Sequence, residues 1–323
     1  MMKMVVLDGY TLNPGDLDWR VLDPFGSLTV YPSSQYIDEA EQIARIGDAE
    51  ILFVNKTKIT ERILAACPKV HYIGELATGF DNIDVDAARR HGVALTNVPD
   101  YGGIAVAQHT MALLLELANR TCAMHERVLR GEWTSEIIPE KGQWQMEMTE
   151  LAGKTIGFVG YGTIAIYAAR MARAFGMRTL GYSRRERPEG REVAEYVDLD
   201  TLLRESDVVS LHMPLNEGSY QIINRESLAK MKQGVFLINT ARGALVDEVA
   251  LIEAMDSGKV AGFASDVMVK EPFDMNHPLV GRDNVVLTPH IAWGPRATRA
   301  RLLDTVVSNL QAYLNGEEVN RIC

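Results

Sequence analysis

The chain has 323 residues, of which 47% are hydrophobic and 24% charged, a composition typical of a globular protein long enough for two domains. The net charge of -10 argues against nucleic acid or anionic membranes as main partners, and no uncharged apolar run is long enough to span a membrane. Because Asp8 interrupts the N-terminus too early for a signal peptide, we expect a cytoplasmic protein. Cys67, Cys122 and Cys323 lack metal-ligand spacing, so we predict free thiols and no metal site.

The first hundred residues alternate between short runs rich in Val, Ile and Leu and longer stretches with helical periodicity. The apolar runs predict strands at residues 4–7, 28–31, 51–54, 71–73 and 93–96. Helices are predicted between them, as at residues 37–46 and 84–91. Because strands that alternate with helices form parallel sheets, this part of the chain predicts one doubly wound α/β unit.

A connecting helix and an irregular segment follow. Residues 105–121 are apolar on nearly every side, as expected of a helix buried between layers or domains. Residues 131–150 fit neither strand nor helix, and we interpret them as a loop or arm. Its large apolar side chains are Trp133, Trp144, Met146 and Met148. If exposed, they suit a subunit interface and predict a homodimer; the alternative is that they pack over their own domain.

A second series of strands and helices begins at residue 155. The predicted strands are residues 155–159, 178–182, 208–212, 235–239, 262–266 and 284–287. A long helical pattern at residues 296–314 follows the last strand, and we expect this helix to cross back to the first unit. The first domain is therefore predicted to be discontinuous, with residues 1–100 and 290–323 flanking a dinucleotide-binding domain at residues 101–289.

A glycine-rich turn joins the first strand of this second series to a helix. It reads Gly160-Tyr161-Gly162-Thr163-Ile164-Ala165. The two glycines permit a tight turn and let the backbone approach a pyrophosphate, which the amides at the helix N-terminus can bind. Small side chains recur along the helix, so it can lie close to the sheet. This context favours a dinucleotide site over an ordinary strand–helix turn, with contacts from Gly160, Gly162, Thr163 and Ile164.

The end of the next strand concerns the choice of cofactor. An NAD enzyme has an acidic residue there, whose carboxylate accepts hydrogen bonds from the ribose hydroxyls. This chain has Ser183, Arg184 and Arg185 instead. A hydroxyl and guanidinium groups can hold a 2′-phosphate through charge-assisted hydrogen bonds. We therefore predict NADPH as the preferred donor, with NADH possible. The alternative is that these arginines form a solvated surface turn.

Three residues with complementary chemistry follow the ends of later strands. Arg242 can bind a carboxylate as a bidentate fork, His290 can exchange a proton with a carbonyl oxygen, and Glu271 can hold the histidine tautomer. Each alone has a structural alternative, such as a surface arginine or a core histidine. Because the carboxyl ends of parallel strands bind ligands, we predict that the three meet in one crevice. Asp266 is predicted to support this site or to face the nicotinamide; its alternative is a structural salt bridge.

Further segments occur in a characteristic order along nearly the whole chain. They are residues 77–84, Asn97-Val98-Pro99, Val106-Ala107-Gln108-His109, Leu211-His212-Met213-Pro214-Leu215 and Ile238-Asn239-Thr240-Ala241-Arg242-Gly243. Together with the Gly160 turn and the segments around Glu271 and His290, they make the chain resemble the D-isomer-specific 2-hydroxyacid dehydrogenase family. Within that family it is most similar to the hydroxypyruvate reductase or glycerate dehydrogenase branch.

The resemblance implies a flavodoxin-like substrate domain, built from the N-terminal part and the C-terminal helix, and a Rossmann dinucleotide domain with a cleft between them. It implies that His290 donates the proton, that Glu271 pairs with it, and that Arg242 binds the carboxylate and polarises the carbonyl. Backbone amides at Thr78 and Gly79 are implied to hold the same carboxylate. The further implied cofactor contacts are His212, Pro214, Thr240, Ala241, Arg242 and Asp266.

Trp293 follows His290 and resembles the wall of a pocket for a small, hydroxymethyl-sized side chain; its alternative is ordinary packing. We predict an NAD(P)H-dependent reductase of small 2-keto acids. Its expected substrate is hydroxypyruvate, which gives D-glycerate, and a further expected substrate is glyoxylate, which gives glycolate. The alternatives are a dehydrogenase for a bulkier keto acid and a dinucleotide-sensing, corepressor-like binding protein. The departures from the family pattern are Ala165 in the glycine turn and residues 100–103 after Pro99.

Overall fold

The computed structural model describes residues 1–133 and 147–323 and has two compact units. The first unit comprises Met1–Gly102 and Gly294–Cys323, and the second comprises Gly103–Trp293. Each unit has a parallel sheet with buried apolar side chains on both faces. Such a core is what near-continuous Val, Ile and Leu runs predict when helices cover both sides of a sheet.

The unit boundaries differ from the predicted ones at both crossings. Residues 101–102 belong with the first unit, and residues 290–293 belong with the second. The second difference has a direct cause, because the carboxylate of Asp266 accepts hydrogen bonds from the amides of Ile291 and Ala292. This segment is therefore held by the second unit before the chain returns to the first.

The sheet of the first unit forms from short apolar runs. Strands β1 to β5 are Met2–Val6, Gly26–Val30, Ile51–Val54, Tyr72–Glu75 and Ala94–Thr96. They pair in the parallel order β2-β1-β3-β4-β5, which is the flavodoxin-like order. The prediction of a doubly wound unit is confirmed, with strand ends that differ slightly from those read from the sequence.

Short helices connect these strands. Helices α1 to α4 are Gly9–Leu12, Glu39–Ile46, Glu61–Ala66 and Val85–Arg90, and a 3₁₀ helix covers Trp19–Phe25. The side chains of Asp38, Thr60 and Asp84 accept hydrogen bonds from backbone amides in the first turns of α2, α3 and α4, respectively. These caps explain why the helices begin where they do, because they satisfy amides that have no partner within the helix.

The sheet of the second unit has the Rossmann arrangement. Strands β6 to β12 are Thr155–Val159, Arg178–Tyr182, Glu195–Tyr196, Val208–Leu211, Val235–Asn239, Val260–Ser265 and Val285–Leu287. They are parallel in the order β12-β11-β10-β9-β6-β7-β8, with the crossover at β6. The sequence prediction missed β8 because this strand is too short to show an apolar pattern.

The helices of this unit include the predicted connecting helix. Helices α5 to α11 are Gly103–Asn119, Thr121–Leu129, Thr163–Ala174, Pro188–Arg191, Leu199–Glu205, Arg225–Lys230 and Glu248–Asp256. Helix α5 packs against α7 and against β10, β11 and β12. The predicted arm at residues 131–150 lies partly outside the described residues, as do Trp144 and Met146.

The last helix, α12, spans Arg296–Leu314 and belongs to the first unit. Leu302, Val306 and Leu310 on its buried face join the apolar cluster beneath β4. Near its start, the Arg299 guanidinium binds both carboxylate oxygens of Asp16 at 2.7 Å. This bidentate pair ties the beginning of α12 to the loop after α1.

Two negative findings apply to the described part of the chain. No helix within residues 1–133 and 147–323 combines the length and the apolar character needed to cross a membrane. In the same ranges, no group of three or more His, Cys, Asp or Glu side chains is arranged to hold a metal ion.

Glu75, the last residue of β4, is a buried carboxyl group. The residue is 1% exposed. Its Oε2 accepts a hydrogen bond from Asn82 Nδ2 at 3.2 Å, whereas no described residue forms a hydrogen bond with Oε1. Burial, with a smaller contribution from the charge of Asp8, raises the pKa of Glu75 well above its ordinary value of 4.5. The folded protein therefore keeps a proton at this site that the unfolded chain releases.

We predict that Glu75→Gln stabilises the protein increasingly as pH rises. Because the pKa of Glu75 is raised in the folded state, wild type loses stability as pH increases above the pKa of this group in the unfolded chain. Glutamine does not titrate, so the variant does not lose this stability. Thermal unfolding followed by circular dichroism should show little difference from wild type at about pH 5 and a higher Tm for the variant at about pH 8. The control is Glu317→Gln, since Glu317 is exposed in the same unit. A Tm difference that does not change with pH would refute the assignment.

Candidate active site

The glycine turn after β6 brings the backbone of two strands close together. Gly160 has a φ of +91°, and a Cβ there would lie 2.7 Å from the carbonyl carbon of His212 and 2.6 Å from Met213 Cβ. The amides of Gly160 and Tyr161 both donate to the carbonyl oxygen of Tyr182 at 2.9 Å. The positive φ and the close approach together require glycine at position 160.

The N-terminus of α7 provides a different environment. Gly162 is the N-cap residue of α7, but it has no side chain that could accept a hydrogen bond from the helix amides. A Cβ at this position would meet nothing within 4 Å. The first helical residues, Thr163 and Ile164, follow directly, and Ala165 is fully buried against the sheet. Open space in front of uncapped helix amides fits an anionic group such as the pyrophosphate of a dinucleotide.

The loop after β7 carries the predicted ribose-side residues. Ser183 Oγ donates to the carbonyl oxygen of Arg185 at 2.6 Å, and Arg184 and Arg185 are exposed. Arg187, which the sequence analysis did not single out, reaches back so that its Nη1 donates to Thr163 Oγ1 at 3.1 Å. A set of guanidinium groups therefore lies in the loop after β7, and one contacts the first turn of α7.

His212 follows β9 on the other side of the glycine turn. The residue is half-buried, and burial of its ring lowers the pKa to about 3, so the ring is neutral. Nε2 lies 2.8 Å from Ser210 Oγ, whereas Nδ1 has no hydrogen-bond partner among the described residues. The ring packs 5.7 Å from that of Phe158. His212 thus presents a neutral surface, and Pro214 lies two residues further along the same loop.

Arg242 lies in the loop after β10. Asn239, the last residue of that strand, accepts the amide of Ala241 and donates to the carbonyl oxygen of Arg242, which holds the backbone of this loop. Thr240 Oγ1 lies 3.1 Å from Thr110 Oγ1 on α5. The Arg242 side chain is half-buried, and its Nη1 donates to the carbonyl oxygen of Ala241 at 2.8 Å.

A glycine also lets the loops after β10 and β11 approach each other. A Cβ on Gly243 would overlap the backbone of Met268, so only glycine permits this contact. Met268 donates its amide to Glu271 Oε1 at 3.1 Å. The residue next to Arg242 therefore lies against the loop that carries Glu271.

His290 and Glu271 form a hydrogen-bonded pair. The distance from His290 Nδ1 to Glu271 Oε2 is 2.8 Å, and the two side chains are 30% and 37% exposed. An ionised carboxylate can only accept, so Nδ1 carries the hydrogen in this pair. The opposite ring nitrogen, Nε2, is consequently the atom available for proton exchange with a ligand.

The Glu271 loop has a second tether at its far end. His277 Nδ1 accepts the amide of Leu279 at 3.3 Å, so its Nε2 is the donor toward Glu248 Oε2, 3.4 Å away. The other oxygen of Glu248 accepts the amide of Val269 at 3.3 Å. Glu248 at the start of α11 therefore contacts the loop on both sides of Glu271.

The backbone at His290 is strained. Its φ is +56°, a left-handed conformation that costs a residue other than glycine roughly 1–2 kcal/mol. The conformation is held by Asp266, whose carbonyl oxygen accepts the amide of His290 at 2.8 Å and whose carboxylate accepts those of Ile291 and Ala292 at 2.9 and 2.8 Å. Trp293 Nε1 donates to the carbonyl oxygen of His290 at 3.0 Å. Strain that is maintained by surrounding contacts is typical of functional sites.

Comparison with known proteins assigns the chain to a family. Residues 111–292 match the family described as D-isomer specific 2-hydroxyacid dehydrogenase, NAD binding domain. The chain belongs to that family. It is an NAD(P)-dependent dehydrogenase, as the sequence predicted.

Individual relatives are similar along nearly their full length. A hydroxypyruvate reductase of Blautia hydrogenotrophica is 42% identical over 320 residues, which cover 99% of each chain. A glyoxylate reductase of Thermococcus litoralis is 41% identical, with coverage of 92% of this chain and 90% of the relative. A solved structure, an acyclic imino acid reductase (Bsp5) in complex with NADPH and D-Arg, has a TM-score of 0.85, 30% identity and coverage of 100% of both chains.

The structure of this dehydrogenase brings together only some of the predicted residues. Glu271, His290 and Asp266 are connected through direct hydrogen bonds, and Trp293 contacts the backbone of His290. Arg242 lies on the loop of the neighbouring strand. Thr78 and Gly79 lie in the first unit after β4, where Thr78 Oγ1 donates to the carbonyl oxygen of Val98 at 2.7 Å.

Some residues at the site carry no signal that the sequence analysis recognised. Arg187 was overlooked because it lies beyond the usual ribose position, although it belongs to the same run of arginines. His109 was named only within the characteristic segment Val106-Ala107-Gln108-His109, and Thr288 was not named. Neither was given a role, because their contact joins α5 to the loop after β12 across a long stretch of sequence. A search for polar residues on an otherwise apolar buried helix would have found His109.

We predict that the two glycines of the dinucleotide turn respond oppositely to alanine. Gly160→Ala should lower the free energy of unfolding by about 2 kcal/mol or more, since its Cβ would overlap backbone at a positive φ. Gly162→Ala should change it by less than about 1 kcal/mol but weaken NADPH binding, because the methyl group would occupy the open space before α7. Denaturant unfolding without cofactor and fluorescence titration with NADPH measure both effects. Equal losses of stability in the two variants would contradict this account.

Proposed function

We propose that this dehydrogenase reduces hydroxypyruvate to D-glycerate, and glyoxylate to glycolate, with NADPH as the preferred donor. The observation that carries the proposal is the His290–Glu271 pair, which directs the hydrogen of Nδ1 to the carboxylate and assigns proton transfer to Nε2. The names of the similar proteins, hydroxypyruvate reductase and glyoxylate reductase, support the substrate class.

In the proposed reaction, the carbonyl group gains two hydrogens from different sources. When bound, reduced nicotinamide would supply hydride to the carbonyl carbon. His290 donates the proton on Nε2 to the carbonyl oxygen, so the ketone becomes an alcohol without a free alkoxide. Arg242 binds the substrate carboxylate through its guanidinium fork and polarises the adjacent carbonyl.

Glu271 acts through His290 rather than on the substrate. Its carboxylate keeps the imidazole oriented and stabilises the doubly protonated ring before proton transfer. After transfer, Nδ1 still carries its hydrogen, so the same pair serves the reverse oxidation. We also propose that backbone amides at Thr78 and Gly79 bind the carboxylate and that Trp293 limits the size of the substrate side chain.

The proposed cofactor preference rests on the loop after β7. Ser183, Arg184 and Arg185 are proposed to bind the 2′-phosphate, with Arg187 alongside, since no acid occupies the usual ribose position. The absence of a carboxylate removes the hydrogen-bond acceptor that NADH would use, and the guanidinium groups favour the additional phosphate charge. The remaining proposed cofactor contacts are Gly160, Gly162, Thr163, Ile164, His212, Pro214, Thr240, Ala241, Arg242 and Asp266.

We further propose a homodimer that works in the cytoplasm. Leu129, Trp133 and Met148, close to the ends of the described ranges, are 73%, 72% and 53% exposed. Large apolar side chains with such exposure suit contact with a second copy of the chain. The free thiols of Cys67, Cys122 and Cys323 suit a reducing compartment.

The function is tested by following absorbance of the reduced nicotinamide with a panel of 2-keto acids. We expect the highest kcat/KM with hydroxypyruvate, lower values with glyoxylate, and poor turnover of keto acids with branched or aromatic side chains. Parallel reactions with NADPH and NADH at equal concentration should favour NADPH. A best substrate with a bulky side chain would replace the proposed substrate class, and no turnover with any keto acid would favour a cofactor-sensing protein.

A further inference from the structure

A polar network connects helix α5 to the loop that carries His290. His109 Nε2 on α5 lies 2.9 Å from Thr288 Oγ1, and Thr288 Oγ1 donates to Asp266 Oδ1 at 2.6 Å. The His109 side chain is 21% exposed and that of Asp266 is 1% exposed, so the network extends from the surface of α5 to a buried carboxylate. All three residues belong to the second unit.

The direction of each hydrogen bond follows from the donors present. The carboxylate of Asp266 accepts, so the single hydroxyl hydrogen of Thr288 is committed to Oδ1. Thr288 Oγ1 can then only accept from the ring, and His109 must carry a hydrogen on Nε2. Nε2 also lies 3.6 Å from Asp266 Oδ1, so the hydrogen of the ring points toward the negative end of the network.

Asp266 is the group that holds the loop after β12. One carboxylate oxygen accepts the amide of Ile291 and the other accepts that of Ala292, while its carbonyl oxygen accepts the amide of His290. The carbonyl oxygen of Thr288 accepts the same His290 amide at 3.0 Å. The orientation of the Asp266 carboxylate therefore helps to maintain the left-handed backbone conformation of His290.

We propose that His109 is a positioning residue for His290, acting through Thr288 and Asp266. The inference rests on the proposed function of His290 and deepens it. His109 does not need to contact the substrate or the cofactor. By donating to Thr288, it fixes the rotamer in which the hydroxyl donates to Asp266, and the carboxylate then keeps both of its oxygens directed at the loop.

The test compares two substitutions at one position. His109→Leu removes the donor, whereas the amide nitrogen of His109→Gln can reach the place of Nε2 and donate to Thr288. We expect the first to lower kcat roughly 10- to 100-fold, as misplacement of a reacting group does, with the KM for NADPH nearly unchanged. The second should recover most of kcat. Gln108→Leu is the control, because Gln108 is exposed on the same helix.

Thr288→Val completes a double-mutant cycle. If His109 acts through Thr288, adding His109→Leu to Thr288→Val should cause no further loss of kcat. Multiplied losses in the double variant would overturn the proposal, as would a His109→Gln variant no better than His109→Leu. A Gln108→Leu variant as slow as His109→Leu would also overturn it, because any change on α5 would then suffice.

Hydrogen–deuterium exchange provides a readout that does not depend on turnover. The amides of Ile291 and Ala292 should exchange faster in His109→Leu and in Thr288→Val than in wild type, His109→Gln or Gln108→Leu. If wild type reduces no keto acid, the proposed function fails, and this exchange pattern still shows whether His109 holds the loop. Unchanged exchange in His109→Leu would refute the positioning role even in an active enzyme.

Discussion

The arrangement of the site depends on one buried carboxylate. Asp266, the residue after β11, is nearly inaccessible and accepts from the backbone on the far side of the next strand. These bonds supply the amide partners that a buried carboxylate requires and at the same time hold His290 in a left-handed conformation. Without them, the loop would be expected to relax toward an extended backbone, and the ring of His290 would leave Glu271.

Glycines make the other close contacts possible. Gly160 lets the dinucleotide turn lie against the loop after β9, and Gly243 lets the loop after β10 lie against Met268. In both places a β-carbon would overlap another backbone segment. The loops of the site therefore come into contact at positions where glycine has no side chain. These loops extend from strands that the apolar core holds in register.

Much of this organisation could be predicted from local sequence patterns. Apolar runs and turn residues indicated two parallel sheets and the return of α12, because strand and helix periodicities are local. The positions of Arg242, Glu271 and His290 after successive strands followed from the same reading. The two-residue strand Glu195–Tyr196 and helix α6, which has no buried residue, gave too weak a pattern to be recognised.

Other features depend on contacts between distant parts of the chain. The sequence indicated that Asp266 supports the site. It did not show that the carboxylate oxygens of Asp266 accept hydrogen bonds from the loop after β12, so that residues 290–293 belong to the second unit. The contact of Arg187 with Thr163 and that of His109 with Thr288 were missed for the same reason. Such bonds are set by how loops pack once the sheet has formed.

The central claim is that His290, oriented by Glu271, transfers the proton. It is tested most directly by single-turnover oxidation of bound NADPH by hydroxypyruvate in wild type, His290→Asn and Glu271→Gln. General acid catalysis contributes roughly 10²- to 10⁴-fold, so His290→Asn should slow this step by that factor and Glu271→Gln by less, with NADPH affinity retained in both. A His290→Asn variant that reduces hydroxypyruvate at the wild-type rate would contradict the account.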